Sequence, residues 1–210
     1  PLGGNPPLHC AALVADPRLA HAALRRWLAS LGVAMPTRVR LDELLRQLRV
    51  ARPDARIRID LGSVVVQRYR GALHAVPKDR PSPSGRRQLS SPGTFDLGAG
   101  RLSLRTVIGA GLRADRGSLS VCFRSGGERL RPTGRGGSVA LKQWLQEQGV
   151  PPWERDRLPL VYCGDALVAV ADLHVCDGWR ATGELPGWQL RWIPLLMRDQ
   201  RPSDAASRSP

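Results

Sequence analysis

The sequence predicts an α+β fold, and three observations carry that expectation. Apolar residues recur at helical spacing through the first fifty positions. The pattern then switches to alternation, and a second set of alternating segments flanks one further helical stretch. The expected plan is a helical module ending in a small antiparallel sheet (1–77), a flexible linker (78–93), a second small α+β module (94–197) and a disordered tail (198–210).

In the first module, residues 8–15 read as a short apolar helix. Asp16-Pro17 is a strong start for a second helix, since Asp caps free amides and Pro suits the first turn. Leu24, Trp27, Leu28 and Leu31 mark its buried face, and Gly32 suits its end. Pro36-Thr37 opens a third helix with the stripe Leu41, Leu44, Leu45 and Leu48, ending near Arg52-Pro53. Arg38, Arg40, Arg46 and Arg49 lie largely off that stripe and should be solvated. Ile57, Ile59 and Leu61 then alternate with polar residues. Gly62-Ser63 suits a hairpin turn into Val64–Tyr69, and residues 72–76 add a third strand.

Residues 78–93 are rich in Pro, Ser, Gly and Arg, the composition of a linker. In the second module residues 101–107 and 118–124 alternate as strands. Ser138 is placed to cap a helix whose apolar face is Leu141, Trp144 and Leu145, with Gly149 beyond its end. Residues 159–163 and 166–175 form a hairpin around Gly164-Asp165, and residues 188–193 a last strand.

The 210 residues carry a formal charge of +14, and all 32 positive residues except Lys78 and Lys142 are arginine. Such a balance predicts attraction to a polyanion, and arginine offers a planar fork for phosphate or base edges. No stretch approaches the roughly 20 apolar residues of a membrane helix, no leader is visible, and no basic amphipathic helix points to a membrane surface. Cys10, Cys122, Cys163 and Cys176 form no C-x-x-C pair, and no histidine sits at ligand spacing beside them, so a reduced, cytoplasmic, metal-free protein is expected. The chain begins with Pro1 rather than Met, which fits a piece of something longer. His9, His21, His74 and His174 show no catalytic pattern, and Asp165, Asp172 and Asp177 no metal-loop spacing.

Arg129-x-Arg131-Pro-Thr-Gly-Arg135-Gly-Gly-Ser138 is a basic loop leading into a helix, with Lys142 inside it. That arrangement reads as a phosphate clamp, to which Arg124 upstream adds charge. In Pro151-Pro152-Trp153-Glu154-Arg155-Asp156-Arg157 the Trp either stacks on a base or packs beneath the preceding helix, and packing is the favoured reading. Arg155 and Arg157 either touch phosphate or pair locally. The candidate RNA-binding set is therefore Arg124, Arg129, Arg131, Arg135, Ser138, Lys142, Trp153, Arg155 and Arg157, with no catalytic residue. Ser125-Gly126-Gly127-Glu128 resembles the S-G-G-x-D-S loop of ATP pyrophosphatases, but Arg129 and Leu130 replace its Asp and last Ser, so a nucleotide site is not expected.

Leu24-Arg25-Arg26-Trp27-Leu28, Gly32, Pro36-Thr37, Gly62 and Arg68-Tyr69 form one set of matches to a known family. Gly134-Arg135-Gly136-Gly137, Leu141-Lys142, Glu147, Gly149-Val150-Pro151-Pro152-Trp153, Arg155-Asp156 and Pro159-Leu160 form another. Over roughly residues 8–195 the chain resembles the C-terminal portion of the tRNA(Ile)-lysidine synthetases. The resemblance implies a tRNA-recognition role. Members of that family attach lysine to the wobble cytidine of an isoleucine tRNA with a CAU anticodon. They use ATP and magnesium in an N-terminal pyrophosphatase-type domain, which this sequence does not show. The chain alone would hold no cofactor and would meet a catalytic domain in cis or in trans. Whether it is itself an enzyme, and its oligomeric state, stay open. A free-standing basic RNA-binding protein is the alternative.

Overall fold

The computed structural model describes residues 6–52, 55–80, 83, 85–113 and 115–195. The architecture is α+β, in two compact units whose bodies are Gly4–Arg80 and Pro81–Pro194. The expected tail, 198–210, lies outside the described residues.

The first unit runs β1 (Leu8–His9), α1 (Cys10–Ala15), α2 (Pro17–Ser30), α3 (Arg38–Val50), β2 (Arg58–Asp60), β3 (Val64–Tyr69) and β4 (Ala72–Pro77). Asp16 accepts the Arg18 amide at 2.9 Å, which satisfies one of the free donors at the start of α2. Gly32, at φ 71°, turns the chain away after α2. Leu24, Leu28, Leu41 and Leu44 are fully buried, and the Trp27 indole donates to the Pro6 carbonyl at 2.8 Å. Arg38, Arg40, Arg46 and Arg49 are exposed, as their helical positions predict. The four-stranded antiparallel sheet has the order β1-β4-β3-β2. One expectation is corrected: the helix read over 8–15 gives up Leu8 and His9 to β1. They pair with Leu73 and Ala72, occupying an edge of β4 that would otherwise be open.

The second unit contains β5 (Arg87–Leu89), β6 (Gly93–Asp96), β7 (Gly100–Ile108), β8 (Leu112–Arg113), β9 (Leu119–Cys122), β10 (Arg129–Leu130) and β11 (Val139–Ala140). It continues with α4 (Leu141–Glu147), α5 (Pro152–Arg155), β12 (Leu160–Cys163), β13 (Ala166–Val170), β14 (His174–Val175) and β15 (Pro186–Pro194). A five-stranded sheet has the order β14-β13-β12-β9-β5, and a four-stranded sheet the order β6-β7-β15-β8. Leu102, Leu104, Leu190 and Trp192 of one sheet share a single core with Val121, Leu160, Val168 and Val170 of the other and with Leu141, Trp144 and Leu145 of α4.

Two readings change here. Arg87–Leu89, inside the stretch read as linker, pairs with β9 as its edge strand, because Leu89 is apolar and finds a place in the core. The strand read over 166–175 is broken at Ala171, whose φ of 44° is left-handed, so His174–Val175 returns as a separate strand.

Gly187 on β15 sets the fit of β8. A Cβ there would stand 2.1 Å from the Ala110 carbonyl oxygen and 2.8 Å from the Ala181 Cβ. Neither neighbour is the flexible end of a side chain, so Gly187→Ala is expected to destabilise the second unit by about 2 kcal/mol. A thermal melt that matches wild type would contradict the packing described.

Candidate nucleic-acid interface

The basic loop is a closed excursion. β10 and β11 pair Arg129 with Ala140 and Leu130 with Val139, so residues 131–138 leave and return at one point. Leu130 is 2% exposed and pins the exit to the core. The Arg129 guanidinium then clasps the two arms, its Nε donating to Ser138 Oγ at 3.1 Å and its Nη2 to the Ser138 carbonyl at 2.7 Å. The sequence reading is corrected at Ser138. α4 starts at Leu141 with Ala140 at its cap and no capping side chain, because the Ser138 hydroxyl is engaged by Arg129.

On its other side the loop rests on His174. The Thr133 amide donates to His174 Nε2 at 3.4 Å, and the imidazole lies 5.2 Å from the Trp144 ring. Burial lowers the His174 pKa, against a hydrogen bond to the Arg131 main chain. A neutral ring keeps the lone pair that accepts from Thr133. Between these anchors Arg131 and Arg135 are exposed, and Gly134, Gly136 and Gly137 have open space around them. Arg135 meets Glu147 at 3.1 Å, an exposed pair. Such pairs contribute at most about 1 kcal/mol, so a phosphate competes readily for the guanidinium. Lys142 is exposed on the first turn of α4.

Other candidate residues serve the fold instead. Arg155 is 9% exposed and its Nε donates to the Val150 carbonyl at 2.9 Å. Arg157 is 6% exposed. Both side chains are buried. Arg124 lies between two carboxylates, 3.2 Å from Glu128 and 2.9 Å from Asp156, with its side chain 16% exposed. Trp153 is half-buried on α5. The predicted set thus separates into an exposed trio (Arg131, Arg135, Lys142), a clasp (Arg129 with Ser138), the half-buried Trp153, and buried or ion-paired arginines.

The loop over 125–128 does not fit a nucleotide phosphate. Its Ser125 and Gly126 amides donate to Glu128 Oε1 at 2.5 and 2.7 Å, so the protein's own carboxylate takes the place an anion would need. Among the described residues no group of three or more His, Cys, Asp or Glu is arranged to hold a metal ion. No described helix is long and apolar enough to cross a membrane.

A further basic surface escaped the sequence reading. Arg101, Arg105 and Arg191 are exposed on one face of the four-stranded sheet. The signal was present, since Arg101 and Arg105 fall on the polar side of an alternating segment. Arg191, however, joins them only through strand pairing across more than eighty residues.

Two TilS domains match the chain, one in each unit. The TilS substrate binding domain matches residues 8–74, and the TilS substrate C-terminal domain matches residues 119–192. The chain belongs to the TilS family. Among curated relatives, the tRNA(Ile)-lysidine synthase of Coxiella burnetii is 33% identical over 178 residues, covering 81% of this chain and 39% of that protein. The corresponding synthase of Edwardsiella ictaluri is 34% identical over 175 residues, covering 82% and 40%. This TilS-family chain therefore spans about two fifths of the length of the relatives it matches. A solved structure described as the TilS C-terminal domain is similar with a TM-score of 0.40 at 20% identity, covering 53% of this chain and 98% of that one.

Proposed function

We propose that this chain is the tRNA-recognition portion of an ATP-dependent ligase that joins lysine to the wobble cytidine of the CAU-anticodon isoleucine tRNA. In this reading ATP and magnesium belong to a catalytic domain, in the same polypeptide or another, and the protein works in the cytoplasm. The observation that carries it is the presence of both TilS domains in order, in a chain whose relatives bear the synthase name. The physical chemistry of the second unit supports it. A loop clasped at its root by Arg129 and seated on His174 presents Arg131, Arg135 and Lys142 outward, with glycines that let a backbone approach. Cations held this way neutralise phosphates and supply affinity without reading sequence. Discrimination needs contacts to base edges or to the shape of the folded RNA.

Fluorescence anisotropy tests the reading. The chain should bind a transcript of the CAU-anticodon isoleucine tRNA more tightly than an unrelated tRNA. Affinity should fall on the order of 10³-fold between 50 and 200 mM salt if six or more phosphates are contacted. Arg135→Ala and Lys142→Ala should each weaken binding while leaving the melt unchanged. Equal affinity for both tRNAs would favour a general RNA-binding protein, and a flat salt response would remove the phosphate grip.

A further inference from the structure

We infer that the outer face of the four-stranded sheet of the second unit is a docking surface for an RNA sugar-phosphate backbone, separate from the loop over 131–138 and built on Arg101, Arg105 and Arg191. The inference rests on the tRNA-recognition reading above and extends it to residues on a different element.

Strand pairing places these arginines together. Opposed residues of antiparallel strands point to the same face, and β7 pairs with β15 so that Arg101 faces Ile193, Ser103 faces Arg191 and Arg105 faces Gln189. Arg191 is therefore the diagonal neighbour of both Arg101 and Arg105. On the other side, β6 adds Thr94 opposite Ser103 and Asp96 opposite Arg101. The opposite face of the same strands carries Leu102, Leu104, Leu190 and Trp192 into the core, which fixes the direction of the arginines.

The cluster is poorly explained by folding. Like charges at diagonal positions of a sheet repel. Asp96 is the one acid on these strand positions, and its Oδ1 accepts the Gly98 amide at 2.9 Å. None of the three guanidiniums has a hydrogen-bond or ion-pair partner among the described residues. Arg113 on the neighbouring strand shows the contrast, held at 2.5 Å by Asp115. Ser103, Gln189 and Thr94 fill the space between the arginines with small or flexible hydrogen-bonding groups.

The dimensions suit a phosphate backbone. Four residue-to-residue steps along the strand take Arg101 to Arg105, roughly 13 Å, with Arg191 between them. That span meets about two or three successive phosphates of one strand, each reachable by a planar guanidinium fork. A rigid sheet holds this spacing, which a loop does not.

The test compares three variants of the whole chain in anisotropy titrations with the isoleucine tRNA transcript across a salt series. The sheet variant is Arg101→Gln, Arg105→Gln and Arg191→Gln together. The loop variant is Arg131→Gln with Lys142→Gln. The control, like the loop variant, removes two exposed charges, here outside both matched domains, by Arg86→Gln with Arg116→Gln. The sheet variant should bind at least tenfold more weakly at 100 mM salt, and its log K against log salt slope should flatten by about 2 to 3. The control should stay within about twofold of wild type, and melts should confirm that each variant folds. Equal losses in the sheet and control variants would overturn the inference, since net charge alone would explain both. Wild-type affinity in the sheet variant, with loss in the loop variant, would overturn it and leave the tRNA reading standing. Absence of tRNA binding by the wild-type chain would overturn both. A further arm uses phosphatidylserine vesicles. If the sheet variant lost vesicle binding but kept RNA binding, the face would belong to a lipid surface and the inference would fail.

Discussion

Trp144→Ala is expected to lower the stability of the second unit by about 3–5 kcal/mol, the range for deleting a large buried aromatic. Trp144 is 5% exposed and sits in the core with Leu141 and Leu145 of its own helix. α4 has seven residues, too few to persist without tertiary contacts, so its position depends on what that face buries. The consequence reaches the surface. The Trp144 ring lies beside His174, which receives the Thr133 amide at the base of the basic loop, and α4 carries Lys142. Removing the indole opens a void beneath both supports of the proposed phosphate grip. Trp144→Phe keeps most of the volume and should cost only about 1 kcal/mol. Five of the six tryptophans (all but Trp27) lie in the second unit, so urea unfolding followed by tryptophan fluorescence reports mainly on it. A midpoint for Trp144→Ala close to that of Trp144→Phe would show that the ring is not a core element.

What the sequence made legible follows from how far each signal reaches along the chain. The helices of the first unit were readable because Asp16, Pro17, Gly32 and the leucine stripes act within a turn or two of their own positions. The β2 and β3 hairpin was readable for the same reason, with alternation leading into a tight turn at Gly62-Ser63. Strands β1 and β5 were not. β1 exists because an edge of β4 accepts it, and β5 because β9 does, and neither partner is near in sequence. The candidate site divides the same way. Net charge and the glycine-rich spacing marked the basic loop. The fate of each arginine, though, depended on how the folded chain placed its partner: Asp156 for Arg124, 32 residues away, the Val150 carbonyl for Arg155 and Ser138 for Arg129. Ser138 illustrates the limit, because its suitability as a cap is a local property and its capture by Arg129 is not. The cluster of Arg101, Arg105 and Arg191 needed the β7–β15 register, which residue spacing alone does not disclose.

Glu128→Ala should destabilise the second unit by about 3 kcal/mol at neutral pH, through loss of a buried acceptor and of an ion-pair partner. The Glu128 side chain is 7% exposed. Its carboxylate accepts from the Ser125 and Gly126 amides and from Arg124 Nε, so alanine removes three hydrogen bonds at once and leaves the two exposed amides to water. Asp156 still holds Arg124 from the solvent side, which keeps the loss below that of an isolated buried pair. Burial of the carboxyl opposes ionisation. The Gly126, Glu128 and Ser125 amides and the Arg124 charge outweigh it, and the pKa falls below its ordinary 4.5. A carboxyl with a depressed folded pKa is protonated first in the unfolded chain as pH drops. Its contribution is therefore complete above pH 4.5 and is lost as pH falls through the folded value. The stability gap between wild type and Glu128→Ala should be constant from pH 7 to about pH 5 and should narrow below 4.5. Glu128→Gln retains an acceptor oxygen but not the charge, so it should fall between the two, with a gap to alanine that does not change with pH. Urea titrations of the three proteins between pH 3 and 7 measure these gaps. A wild-type advantage that persisted undiminished to pH 3 would mean that shape, rather than the ionised carboxylate, holds residues 124–128 in place.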